Sequence, residues 1–139
     1  MYKIKIFTIG KTKEAWLDEA LKEYYKRLSS LVHFEWVLVK EDKQLQELAH
    51  QEDFCIGLDP TGASYTSENF SVYLLNQLQM RGSRLTFIIG GPSGLPKELK
   101  TLPLISLSPL TFTHQLTRLV LVEQIYRALE IAKGSSYHK

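Results

Sequence analysis

The sequence predicts an α/β protein built on a mostly parallel sheet with helices on both faces. Short β-branched and aromatic runs alternate along the chain with segments of helical period. One of these runs, Leu85–Ile89, is apolar almost throughout, as a central parallel strand buried on both sides must be. The 139 residues, 44% of them hydrophobic and 23% charged, suit one soluble domain spanning 1–139.

Each element has a local reason. Tyr2–Ile9 reads as the first strand, closed by Gly10. Glu14–Leu31 has helical spacing, with Trp16, Leu17, Ala20, Leu21, Tyr24 and Leu28 on one side. Phe34–Val39 is a second strand, Asp42–His50 a short polar helix, and Asp53–Leu58 a third strand ending in the turn Asp59-Pro60-Thr61-Gly62. Ser67 is expected to cap a helix reaching about Met80, with Phe70, Tyr73, Leu74, Leu75 and Leu78 for the core. After the fourth strand, Leu85–Ile89, come a short helix near Pro96–Lys100, a fifth strand near Leu102–Leu107 and a long helix from about Thr113 to Lys133. No repeat, linker or low-complexity stretch divides the chain.

Composition narrows the function. The lone cysteine, Cys55, lies in the apolar run Phe54–Leu58 and reads as a buried, inert thiol, which excludes disulfide scaffolds and cysteine-based zinc sites. No metal site is expected. With no signal peptide ahead of the first strand and no apolar run near the roughly 18 residues of a membrane span, the expected setting is the cytoplasm. Net charge is only +2, but it is unevenly spread. Residues 1–70 carry nine Lys/Arg against twelve Asp/Glu, and residues 71–139 carry eight against three. Such a basic half suits either a polyanionic partner or an ordinary solvated surface.

Ligands of parallel sheets bind beyond the carboxyl ends of the strands. The turns at Asp59–Gly62, Gly90–Gly94 and Ser108–Thr113 should open together on that edge. Ile89-Gly90-Gly91-Pro92-Ser93-Gly94 is neither a dinucleotide fingerprint nor a Walker loop, and Leu95 stands where a nucleophile elbow needs glycine. It is a tight turn, or backbone bared for a ligand. Leu107–Phe112 mixes apolar and hydroxylated residues. It reads as a plain connector, or as a segment wrapping an adenine ring with apolar walls and backbone polar groups. The last helix is apolar nearly all round, which calls for burial inside the domain or against a second subunit. Arg118 shares a stripe with Leu121, Val122, Ile125 and Leu129. Buried there, it needs an anionic partner; otherwise its head reaches water. The tail gathers Tyr137, His138 and Lys139, a set suited to proton transfer and phosphate contact, and His114 stands at the helix start. His33 and His50 read as surface residues.

Taken in order and at this length, these blocks resemble the SPOUT-superfamily methyltransferases of the RlmH (YbeA) family, which methylate N3 of a pseudouridine in large-subunit (23S) ribosomal RNA. The resemblance rests on Ile56–Asp59, Ile88–Gly94, Ser106–His114, Arg118, Glu123–Ala128 and Tyr137–Lys139. It implies a C-terminal trefoil knot, an exception to unknotted connections, an S-adenosyl-L-methionine site within it, and a homodimer with the site at the subunit interface. Carried over, the cofactor positions are Leu58, Gly90, Gly91, Leu107, Ser108, Pro109, Leu110, Thr111 and Phe112. His138, then Tyr137, are the candidate catalytic residues. Arg118, Arg127, Lys139 and His114 face RNA, with assembled ribosomes as substrate. Two other classes remain. One is a non-catalytic ribosome- or RNA-binding module of the same fold. The other is a receiver-like phosphoacceptor at Asp59, which lacks the acidic pair it needs because the first strand runs into Gly10-Lys11-Thr12.

Overall fold

Alternation along β1 (Tyr2–Ile9) sorts the two faces of the sheet. Ile4 and Ile6 enter a cluster of 20 buried residues, and Phe7 enters a smaller one of seven on the opposite face. The computed structural model describes residues 1–139. After β1 come α1 (Ala15–Leu28), β2 (Val32–Val39), α2 (Asp42–His50), β3 (Ile56–Ser64), α3 (Ser67–Met80), β4 (Arg84–Ile88), a 3₁₀ turn at Lys97–Leu99, β5 (Leu104–Ser106) and α4 (His114–Lys133). The strands form one sheet in the order β2-β1-β4-β3-β5, every pair parallel. Helices α1, α3 and α4 fill the larger cluster, while α2 and the 3₁₀ turn cover the other face through Leu45, Ala49, Leu95 and Leu99. Both faces of β4 are covered, as its apolar sequence requires.

Several boundaries differ from expectation, each for a local reason. Helix α1 ends at Leu28 because Ser29–Leu31 form the turn into β2, whose first residue Val32 already pairs with Tyr2. Trp16, expected in the core, is 56% exposed one residue before the buried Leu17. Thr66, not Ser67, caps α3, its Oγ1 accepting the Asn69 amide at 3.1 Å. The third strand begins at Ile56 and continues past the expected turn to Ser64. Leu58 and Ala63 both pair with Ile105, so Asp59–Gly62 leaves the ladder as a bulge and returns to the same partner residue.

That bulge is held from inside and from below. Asp59 Oδ1 accepts from the Thr61 amide at 2.9 Å and the Thr61 hydroxyl at 2.6 Å, and Lys100 Nζ stands 3.9 Å from Oδ2. Gly62 lies flat on β5, where a Cβ would stand 2.6 Å from the Leu104 carbonyl carbon and 2.7 Å from the Ile105 nitrogen. Both neighbours are backbone and cannot swing aside.

Two outcomes follow. Gly62→Ala should destabilise the fold by about 1–3 kcal/mol through overpacking, read as a lower urea midpoint at unchanged m-value. Burial pushes the Asp59 carboxyl up, yet the two Thr61 hydrogen bonds and Lys100 win and hold it below its ordinary value of 3.8. A depressed carboxyl contributes stability above its unfolded pKa and loses it as pH falls through the folded one. Asp59→Asn should therefore show a flatter loss of stability below about pH 4 than the parent in acid titrations.

Candidate active site

Because β4, β3 and β5 are adjacent and parallel, the segments that leave them open on one edge of the sheet. These are Gly90–Gly94 after β4, the Asp59–Gly62 bulge of β3, and Leu107–Phe112 after β5. The glycine loop closes on itself. The Gly94 amide donates to Gly91 O at 2.9 Å, Gly94 adopts φ +83°, and a Cβ on Gly90 would overlap the backbone of Gly94 and Leu95. Of the two readings open from sequence, the tight turn is what the glycines serve. Gly91 faces outward of that turn onto the Ile9 side chain, 3.2 Å from where its Cβ would be. Gly91 and Gly94 form an isolated antiparallel bridge, whereas the Gly90 amide donates to no backbone group.

Leu107–Phe112 is a connector of unusual character. Ser106 Oγ donates to Ser108 O, and Ser108 Oγ accepts the Leu110 amide, which curls the segment upon itself. No backbone group of Pro109–Phe112 is bonded to another backbone group. Leu110 is 72% exposed, beside half-buried Leu107 and Phe112. Bare amides and carbonyls among apolar side chains are what a flat heteroaromatic ring needs. Leu58, by contrast, is buried in the main core.

The remaining candidates divide. Arg118 is wholly buried, which corrects its expected place on the RNA-facing surface. Its guanidinium donates to Ile9 O at 2.9 Å, Gly10 O at 2.7 Å and Thr12 Oγ1 at 3.0 Å. Backbone carbonyls, not a carboxylate, are its partners, and Nε has none. Gln115, one turn earlier, clamps the same connection by donating to Lys11 O and accepting the Lys13 amide. His114 sits half-buried beside Gln115, and burial, then Arg118 and Lys13, push its pKa below the ordinary 6.5. It is neutral at pH 7 and can offer a hydrogen bond or a ring face, not a charge.

The tail is docked on α3 and α4. Tyr137 packs edge-on against Tyr126, centroids 4.7 Å apart, and burial followed by the neighbouring Tyr24 pushes its phenol up to about 12. It keeps its proton at neutral pH. His138 Nε2 lies 2.6 Å from Glu68 Oε1, and Nδ1 lies 2.9 Å from Arg127 Nη1. Arg127 Nε in turn donates to Glu123 Oε1 at 2.9 Å, and the guanidinium carbon is 4.8 Å from the Tyr137 ring centroid. Lys139 is exposed. Sequence reasoning missed Glu68, Thr12 and Gln115, which no local signal marks. The i, i+4 spacing of Glu123 and Arg127 did carry a signal.

Cys55 is buried, and burial pushes its thiol up to about 11, leaving no thiolate near neutrality. No group of His, Cys, Asp and Glu is arranged to hold a metal ion, and no helix is long and apolar enough to cross a membrane. A cavity of about 680 Å³ opens at the amino edge of the sheet, away from these loops. Lys3, Lys5, Arg81 and Arg84 there are mixed with Glu35, Glu52 and Asp53, and Lys5 is already paired to Glu52 at 2.9 Å.

Comparison with known proteins adds an independent observation. Residues 2–138 match the family model described as "Predicted SPOUT methyltransferase". A protein of Protochlamydia amoebophila named "Ribosomal RNA large subunit methyltransferase H" is 53% identical, over the whole of both chains. Proteins of the same name from Prochlorococcus marinus (strain NATL2A) and Streptococcus uberis are 41% and 39% identical. The first alignment covers 97% of this chain and 94% of the relative, and the second 99% of each.

Removing the Arg118 head takes that donor from the Ile9 and Gly10 carbonyls. Arg118→Met should cost about 3 kcal/mol or more, measured by urea denaturation. Arg118→Lys should recover only part of this, because one ammonium cannot span three acceptors as the planar fork does.

Proposed function

Since this chain belongs to the SPOUT methyltransferase family, we propose that it transfers a methyl group from S-adenosylmethionine to N3 of a pseudouridine in 23S ribosomal RNA, as a cytoplasmic homodimer acting on assembled ribosomes. The observation that carries this reading is the full-length correspondence, at 53% identity, to a relative named for methylating large-subunit ribosomal RNA.

The residues present fit the cofactor. Backbone groups of Pro109–Phe112 that no other backbone group engages, with Leu107, Leu110 and Phe112 as walls, suit the adenine. Gly91 and the free amide of Gly90 lie on the same edge, where Leu58 backs the strand from the core. Ser108 and Thr111 shape and line the segment. The cofactor supplies an electrophilic methyl on a sulfonium, whose carbon–sulfur bond breaks as the carbon–N3 bond forms.

This chain must orient N3 and accept its proton. In the docked tail, Arg127 can only donate, so His138 Nδ1 accepts from it and Nε2 carries the hydrogen. Arg127 prefers phosphate to a neutral imidazole, because charge-assisted, two-pronged contacts are stronger. When RNA draws Arg127 away, the Nδ1 lone pair is free to take the N3 proton. Tyr137 holds the tail by its ring, and Lys139 and His114 complete the RNA side.

Two further parts of the reading rest on α4. Leu116, Leu119 and Val120 are only half covered, which suits a second subunit. β5 is the edge strand, yet α4, its continuation, returns across β3 and β4 to the end of β1, a course that suits a threaded C-terminus.

The test is methyl transfer from labelled cofactor to intact ribosomes and to free subunits, followed by mapping of the modified nucleotide. Label at a pseudouridine N3 is expected. Cofactor binding without transfer to any ribosomal particle would favour the non-catalytic module. His138→Ala should lower turnover by roughly 10²–10⁴-fold at little change in cofactor affinity; full turnover would remove His138 from the mechanism. A strictly monomeric variant should be inactive, and retained activity there would dismiss the shared site.

A further inference from the structure

The first turn of α3 is a fixed platform. Thr66 caps it, Ser67 Oγ donates to Gln124 Oε1 at 2.8 Å, and Ser71 Oγ donates to Ala128 O at 2.6 Å. These contacts set the register of α3 against α4. Glu68 stands between them, and its Oε1 lies 2.6 Å from His138 Nε2, across 70 residues of sequence. The other ring nitrogen faces Arg127.

We propose that Glu68 is the positioning residue for His138: its carboxylate fixes the ring in the Nε2–H tautomer and leaves Nδ1 as the nitrogen available for proton transfer. The assignment follows from donor capacity. A guanidinium has no lone pair to offer and a carboxylate has no hydrogen, so the ring bracketed between them has one consistent arrangement. The platform makes that arrangement reproducible, because Glu68 cannot shift along α4 without breaking the two serine contacts. The same carboxylate would face the imidazolium once Nδ1 had taken a proton. Glu68 is also in the first turn of its helix, where a carboxylate is favoured, and the His138 hydrogen bond holds its pKa below the ordinary carboxylate value.

An exposed ion pair would contribute little by itself, and the Glu68 side chain is 60% exposed. The distinguishing consequence is therefore orientation, not stability. This inference rests on the reading of His138 as the proton acceptor.

The test uses full-length protein labelled with ¹⁵N-histidine, its His138 signals assigned by their loss in His138→Gln. The parent should show His138 as the Nε2–H tautomer. Glu68→Ala should give an averaged tautomer signature and a kcat lower by roughly three- to tenfold, with the dissociation constant for S-adenosylmethionine unchanged. Glu68→Gln keeps an acceptor oxygen and should restore the tautomer and most of kcat. An unchanged His138 signature, or an unchanged kcat, in Glu68→Ala overturns the proposal. Full turnover in His138→Gln would instead overturn the underlying reading, so the two failures are distinguishable.

Discussion

Arg118 ties the last helix to the first strand, and much of the carboxyl edge depends on that tie. A cation withdrawn from water costs several kcal/mol unless its donors are used, and here two carbonyls and a hydroxyl stand in for an anion. Those carbonyls belong to half-buried Ile9 and Gly10 at the end of β1, and Arg118 supplies their donor. The clamp thus solves two problems at once. It also sets Ile9, whose side chain meets Gly91, so the position of the glycine loop is referred through one residue to the start of α4. With Gln115 bonded to Lys11 and Lys13, the whole β1–α1 connection takes its shape from a helix more than 100 residues away.

The sequence made the elements legible wherever one local rule decided them. Leu85–Ile89 had only one way to be a strand of this length, and the parallel sheet with helices on both faces followed. What escaped was decided across distance. Nothing in Asp59-Pro60-Thr61-Gly62 says that the chain will return to pair with Ile105 after a turn; that depends on β5 lying flat beneath Gly62. The apolar stripe around Arg118 signalled burial but not the identity of its partners, since backbone carbonyls have no signature in sequence. Glu68 looked like one more surface carboxylate. The loops of the candidate site were placed correctly on one edge, but the glycines proved to serve the loop's own closure first. The family likeness, in contrast, spans the chain, because it rests on many modest blocks in order.

Charge gives a similar lesson. The basic half suggested a broad anion-binding surface, but several of its cations are already engaged. Arg118 is buried, Arg127 is paired with Glu123 and turned to His138, and Lys133 is paired with Glu130 at 2.9 Å. Those two pairs cancel within the +5 of residues 71–139, and burial of Arg118 leaves Arg81, Arg84, Lys97, Lys100 and Lys139 against Glu98. Oriented groups and the shape of a large substrate add to such charge where structured RNA is read.

The tail supplies the most directed of those groups, and its geometry imposes an order of events. While Arg127 donates to Nδ1 of His138, the lone pair of that nitrogen is engaged. A phosphate outcompetes an imidazole for a guanidinium, both by charge and by its second acceptor. In the proposed mechanism, arrival of RNA would both occupy Arg127 and uncover the base, while Glu68 would keep the ring facing as before. Binding and proton transfer are then linked through a single side chain. The proposed arrangement would need no moving lid, only the exchange of one hydrogen-bond acceptor for a stronger one.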